Sequence, residues 1–379
     1  MLSQLAERTK TCVQLPVQYR PVAHKIRVDP ITQRELIISP ARNQRQSEFD
    51  AEHQKRTLTS RVDCQYCRGE TTPTLFYVQR SGTELLPIIS QENQTIDAAR
   101  QALRDRPENP GIEFFRDTLV KQVARAGNLP TEPWLSRAFL NITPSLIDPQ
   151  SEANCFVIGI HPSHHYSDIP ELPMEILEAL VLSWQVLEQW CDERELIGIP
   201  LVNGGKRAES GQSIYCFHSQ FFAISRAQAP SLYQAILRTR LQGGCPVCSI
   251  LQYDEYTIYE NSTVRVLVHP FPERIGTLFV APSGERADLN SVNTHDLADA
   301  LTYTIRLFKA WFGQVPAYNI SIRSGDLVGH VHAEIVPKTH TNVPASFEAA
   351  THQIVIPQDP MDLVHAFKRI VPIRAPYWR

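Results

Sequence analysis

The stretch Asn203-Gly-Gly-Lys-Arg-Ala-Glu-Ser-Gly-Gln-Ser-Ile-Tyr-Cys-Phe-His-Ser-Gln220 decides how this chain is read. A glycine-rich loop runs into a short apolar segment that carries Cys216, His218 and Gln220 at alternate positions. Strand side chains alternate between faces, so a strand over 214–220 would set these three on one face. Loop amides beside an imidazole suit chemistry at a phosphate, because glycine lets backbone N–H groups approach an anion closely.

Working outward, the segments before this stretch recur after it. Upstream lie Cys64-Gln-Tyr-Cys67, a strand ending near Asn141, a second strand over 155–160, and the run His161-Pro-Ser-His164-His165. An amphipathic helix follows from Pro173 to Trp190, read from Ile176, Leu177, Leu180, Trp184, Leu187 and Trp190 at three- and four-residue intervals. Downstream, Cys245-Pro-Val-Cys248 opens the same order again. Strands over Thr263–Val268 and Thr277–Ala281 lead to Pro282-Ser-Gly-Glu285, a helix over Thr294–Phe312, a strand over Tyr318–Ile322, and His330-Val-His332. We read an internal duplication of an α+β unit. An arm occupies 1–23, a first unit 24–229 with an insertion at about 68–133, and a second unit 230–379. The Ala227–Gln242 neighbourhood is the connection.

Aligning the copies gives each Cys-x-x-Cys pair two further partners. Cys64 and Cys67 gain His165 (with His164 adjacent) and Cys216; Cys245 and Cys248 gain Glu285 and His330. Taken singly, His164 and His165 are loop histidines and Glu285 a surface carboxylate. The repeated frame, with each partner three residues after a proline, is what selects them. Each set then holds four donors, as a closed tetrahedral site requires, and the sulfur-rich composition favours zinc over hard cations.

Composition narrows the classes. A formal net charge of -3 and a pI near 6.5 give no bulk attraction to nucleic acid or anionic membrane. No Lys/Arg cluster flanks either Cys pair, which argues against nucleic-acid binding through zinc knuckles. No apolar run approaches the roughly 20 residues of a membrane span. The first residues lack a basic segment followed by an apolar core, so the expected location is cytoplasmic. There, eight cysteines are metal ligands and core residues before they are a disulfide framework.

From Arg27 to Arg369 the chain resembles the galactose-1-phosphate uridylyltransferase branch of the histidine-triad superfamily. Arg27-Val-Asp-Pro-Ile-Thr, Ile38-Ser-Pro-Ala-Arg42, Cys64-x-x-Cys67 and Arg137-x-Phe-x-Asn141-x-x-Pro144 follow its motifs in order. Gly205, Ala208, Gly211, Ser213, His218, Ser219 and Gln220 follow its catalytic signature. Cys216 stands where the family has a metal-binding histidine, and the loop between Ala208 and Ser213 is two residues longer.

The resemblance implies two tandem histidine-triad-like domains, each an antiparallel sheet with a long packed helix and a zinc knuckle, with one or two structural zinc ions. It implies a nucleotidyltransferase in which His218 attacks the α-phosphorus of a nucleoside-diphosphate sugar and an acceptor sugar 1-phosphate collects the nucleotide, as in galactose metabolism. Gln220 would donate to a phosphate oxygen, and Ser213 with the Gly211 amides would hold the leaving phosphate. Asn141 and Asn203 would hold ribose or phosphate. Arg27, Phe347 and Glu348 fall in substrate-contact segments, and the family expectation is a homodimer. One alternative is a phosphorylase that uses inorganic phosphate on a nucleotide sugar or dinucleoside polyphosphate. Another, from a different class, is a non-catalytic zinc-stabilised nucleotide-binding protein.

Overall fold

The computed structural model describes residues 25–28, 35–38, 74–89, 134–140, 156–162, 166, 168–192, 196–205, 208–212, 216–284, 288–338, 350 and 358–370. Strands β1 (Lys25–Val28) and β2 (Glu35–Ile38) form an antiparallel pair. The other strands are β3 (Thr74–Ser81), β4 (Glu84–Ile89), β5 (Ser136–Leu140), β6 (Phe156–Pro162), β7 (Leu196–Gly204), β8 (Ser219–Ser225), β9 (Thr257–Glu260), β10 (Val264–Val268), β11 (Leu278–Pro282), β12 (Ala317–Arg323) and β13 (His332–Lys338). The helices are α1 (Met174–Asp192), α2 (Ser231–Leu241), α3 (Pro246–Leu251), α4 (Thr294–Phe312) and α5 (Pro360–Arg369).

The fold is α+β, built on a single eleven-stranded sheet in the order β4-β3-β5-β6-β8-β7-β12-β13-β11-β10-β9. Every recorded pairing in it is antiparallel. Read inward from β3 and from β9, the order is a palindrome. On each side, two strands, a long helix and a hairpin follow one another along the chain. The sequence expectation of a separate sheet in each unit is corrected, because β7 and β12 pair across the middle and merge the two. Joining them leaves no unpaired inner edge on either strand.

Within the stretch 68–133, residues 74–89 form the β3–β4 hairpin, which pairs with β5 and buries Phe76 and Val78. Its alternation is short and period two, so a search for long apolar periodicity passes over it.

The two long helices cover one face of the sheet. Leu180, Trp184 and Leu187 of α1 and Leu301, Ile305 and Phe308 of α4 share a core with Ala138, Phe221, Val280, Ile320 and Ile335 from the strands. Helix α4 starts where the Asn293 side chain accepts from the Asp296 amide (3.0 Å) and stops at Gly313, whose φ of 73° suits glycine. Gln185 of α1 ties the two helices together. Its amide donates to the carbonyls of Leu289 and Val292 (3.0 and 2.9 Å), and its oxygen accepts from Thr294 Oγ1 (3.0 Å). The opposite face is covered in part by α2, through Tyr233 and Ile236 against Ile197, and by α3, through Val247 against Leu267 and Phe279. Among the described residues no helix is long and apolar enough to cross a membrane.

Candidate active site and metal-ligand cluster

Which way β8 faces decides what His218 can reach. Trp184 Nε1 donates to Ser219 Oγ at 3.0 Å, and Ser219, Phe221 and Ala223 are buried on the helix side. Alternation therefore turns Gln220 to the other face, and His218 stands between Phe217 and Ser219, both of which pack on the helix side. The strand begins at Ser219 rather than at 214, so Cys216 and His218 precede it. Val202↔Ser219 is the last pair of the β7–β8 ladder, and the next residues beyond it are Asn203 and His218.

His218 is half-buried, and its Nδ1 lies 3.0 Å from the carbonyl of Cys216. A carbonyl can only accept, so Nδ1 carries the proton and the ring lone pair lies on Nε2. Gln220 is buried two residues on. Arg137 of β5 points to the same face, because its neighbours Ser136 and Ala138 pack against the helices. It is 2% exposed, with its guanidinium carbon 5.8 Å from the centre of the Trp134 ring. A buried cation on the face of a histidine is a feature sequence reading passed over, although Arg137 stood inside a quoted motif.

The glycine-rich run does less for phosphate than its composition suggests. A side chain at Gly204 would begin 2.1 Å from the Tyr318 ring, and one at Gly205 (φ 87°) 2.0 Å from the Pro316 carbonyl oxygen. These two glycines are required by the packing of β7 on β12. The Gly205 amide is donated to Asp168 Oδ2 (3.0 Å), so it is committed to the scaffold. Asp168 also accepts from the Ile169 amide (2.8 Å) and from Tyr318 Oη (2.5 Å), while burial pushes its carboxyl up from the usual range. Gly211, with φ of 82°, is the glycine turned toward Asn203: a side chain there would begin 3.8 Å from Asn203 Nδ2. The Gln212 amide donates to Ser210 Oγ (3.3 Å). Of the other expected site residues, Arg27 falls on β1, where only its backbone is described. Ser213, Asn141, Phe347 and Glu348 lie outside the described residues.

In the second half, Cys245, Cys248 and His330 come together, with ligand atoms all within 4.8 Å of one another. His330 Nδ1 is 3.8 Å from Cys245 Sγ and 3.3 Å from Cys248 Sγ. A tetrahedral ion with bonds of about 2.3 Å to sulfur and about 2.0 Å to nitrogen sets those atoms roughly 3.6 Å apart, between the two observed values. His330 Nε2 donates toward the Pro282 carbonyl (3.4 Å), which leaves Nδ1 to face the sulfurs. These three donors can hold a metal ion. The expected fourth, Glu285, lies outside the described residues, as do Cys64, Cys67 and His165 of the first set. The remaining member, Cys216, is buried.

His332 stands in the second half where His218 stands in the first, two residues after the residue whose carbonyl its Nδ1 faces. Its Nδ1 lies 3.1 Å from the His330 carbonyl, repeating the bond at His218. Its Nε2, however, accepts from Arg323 Nη1 (3.4 Å), and Arg323 is itself paired with Glu334 (2.8 Å). Burial, then the Arg323 charge, holds His332 down to about 4, so it is neutral at pH 7 with its lone pair already engaged.

No protein-family model matches the chain, and no curated protein matches it in sequence. Solved structures do match it in shape. A uridylyltransferase is similar over 62% of this chain and 86% of its own, at 18% identity and a TM-score of 0.55. A GalT-like protein from Arabidopsis thaliana and an Arabidopsis thaliana ADP-glucose phosphorylase with bound ADP-glucose are each similar over 92% of this chain and 99% of theirs. Both are at 16% identity and a TM-score of 0.58. What is shared at such identity is the fold, α+β on a large antiparallel sheet.

Proposed function

We propose that this chain transfers a nucleotidyl group through a covalent bond to His218, taking it from a nucleoside-diphosphate sugar. The observation that carries the reading is the setting of His218, whose Nδ1 is held against the Cys216 carbonyl so that the ring lone pair lies on Nε2, with Gln220 buried two residues on at the start of β8. His218 Nε2 would form a bond to the α-phosphorus as the bond to the leaving sugar phosphate breaks. The acceptor oxygen would then attack phosphorus from the opposite side and break the P–N bond, restoring the imidazole. Splitting the displacement in this way predicts ping-pong kinetics. Gln220 would donate to a non-bridging oxygen as charge builds there. Ser213 and the Gly211 loop are assigned to the leaving phosphate, Asn141 and Asn203 to ribose or phosphate, and Arg27, Phe347 and Glu348 to the sugar end. Arg137 adds a fixed cation on the same face.

The two-unit division at about residue 230 and a structural zinc ion on Cys245, Cys248, His330 and Glu285 belong to the same reading. A second zinc would sit on Cys64, Cys67, His165 and Cys216. When bound, such an ion supplies rigidity to the segment that carries the histidine. The acceptor is a sugar 1-phosphate or inorganic phosphate. The full-length similarity to a structure that holds ADP-glucose is the reason to test phosphate equally.

The test is the intact mass of the protein after incubation with UDP-glucose, ADP-glucose or diadenosine tetraphosphate, each with and without phosphate. One donor should add a nucleoside monophosphate that phosphate or a hexose 1-phosphate then removes, and His218→Asn should abolish the adduct. Absence of an adduct from every donor, or full turnover by His218→Asn, would overturn the proposal and favour a non-catalytic nucleotide binder.

A further inference from the structure

The strand that closes the sheet behind His218 comes from the other half of the chain, and it brings Asn319. Asn319 lies directly opposite Asn203 in the β7–β12 pairing. Its Nδ2 makes two contacts, 2.7 Å to Asn203 Oδ1 and 2.6 Å to the carbonyl oxygen of Ser210. A side-chain amide has two hydrogens and here both are used. The Ser210 carbonyl can only accept, so the atom of Asn319 that faces it must be the nitrogen. That nitrogen in turn requires the atom of Asn203 facing it to be oxygen. The Asn203 NH2 is thereby turned the other way, toward Gly211. An asparagine amide has nearly the same shape in either orientation, and its polarity is set only by such partners.

We infer that Asn319 is a positioning residue, which fixes the polarity of Asn203 so that a donor rather than an acceptor faces a phosphoryl oxygen of the substrate at His218. This rests on the function proposed above. The order of command is a backbone carbonyl of the loop, then Asn319 from the second half, then Asn203 on the catalytic face. Without Asn319, Asn203 is free to present its oxygen to an anion, which repels it. Aspartate at 319 is worse than alanine, because a carboxylate accepts from the Asn203 amide and holds it in the wrong orientation.

The experiment measures UMP against uridine and AMP against adenosine by calorimetry on the full chain, together with the single-turnover rate of adduct formation. A hydrogen bond to a charged group is strong enough that its loss costs about tenfold to a hundredfold in affinity. Asn319→Asp should weaken the nucleoside monophosphate by that factor and leave the nucleoside within about twofold. Asn319→Ala should fall between, and Asn319→Ser, which keeps one donor, should recover part of the loss. In an Asn203→Ala background, Asn319→Asp should add nothing. Monophosphate and nucleoside weakened alike, or equal effects of Asp and Ala in step with their melting temperatures, would overturn the inference and leave the proposed function intact. If Asn319→Asp does not fold, the Ala and Ser variants decide by the same comparison. A wild-type protein that forms no adduct and binds monophosphate no better than nucleoside would overturn both.

Discussion

Glu188 sits on the buried side of α1, 1% exposed, with Ser324 Oγ 2.5 Å from its Oε1. Its Oε2 has no hydrogen-bond partner among the described residues and lies 2.8 Å from where a side chain at Gly198 would begin. Burial, with Asp192, Asp288 and Asp326 nearby, pushes its carboxyl up from 4.5 to about 8, against the lowering effect of Ser324. Glu188 is therefore protonated at neutral pH. For an acid whose folded-state pKa is raised, the stability it contributes is fully present below the unfolded value, near 4.5. That contribution is lost as pH rises toward about 8. At ~1.4 kcal/mol per pH unit, the interval corresponds to ~5 kcal/mol, a ceiling that local relaxation lowers. The perturbation is Glu188→Gln, which keeps the shape and cannot ionise. Urea unfolding followed by circular dichroism at pH 5, 7 and 9 is the assay. The variant should match the wild type within about 1 kcal/mol at pH 5 and exceed it by several kcal/mol at pH 9. Metal binding by thiolates also changes with pH, but it does so in both proteins and cancels in the difference. Parallel pH curves would show that the carboxyl is ionised in the fold or reached by water, and would refute the reasoning.

Three further outcomes are expected. Chelation, or replacement of Cys248 by Ser, should remove one bound metal equivalent by plasma mass spectrometry and lower the melting temperature, since a closed site couples binding to folding; an unchanged metal content would exclude Cys245, Cys248 and His330 as ligands. Tyr318→Phe leaves buried Asp168 without its 2.5 Å donor and should cost about 1–3 kcal/mol in denaturant unfolding; a loss under about 0.5 kcal/mol would mean Asp168 is held without it. Gly205→Ala places a methyl 2.0 Å from the Pro316 oxygen at a φ of 87°, and should destabilise by more than the roughly 1 kcal/mol that the backbone conformation alone costs. Wild-type stability in that variant would show that the seam can open there.

Much of the fold was legible because its long helices carry a clear stripe. Thr294–Phe312 was read with the bounds the structure has, and Pro173–Trp190 within two residues at its end. The mirrored order of the sheet was foreshadowed in the matched order of Cys pairs, strands and histidines along the chain. The β7–β12 pairing was not, since nothing in a linear pattern says which edges meet, and with it went Asn319, Tyr318 and the true employment of Gly204 and Gly205. His218 was legible as a motif, yet its facing depends on Trp184, thirty-five residues earlier, donating to Ser219. Glu188 was passed over for a different reason: four residues after Trp184 it falls on the buried stripe of α1, and a carboxylate there drops out when only apolar residues are counted.

The seam between β7 and β12 carries one more implication. Leu201 pairs with Gln220, two residues after His218, and Ser321 pairs with Glu334, two residues after His332. Leu201 and Ser321 are thus counterparts, and they are opposite each other in the seam. Counterparts that meet face to face are the mark of a two-fold axis passing between them. The joint therefore has the form of the contact that a symmetric pair of half-length chains would make. Under the function proposed above, catalysis belongs to one copy, while the other holds Arg323 on its own His332 and lends Asn319 across the joint.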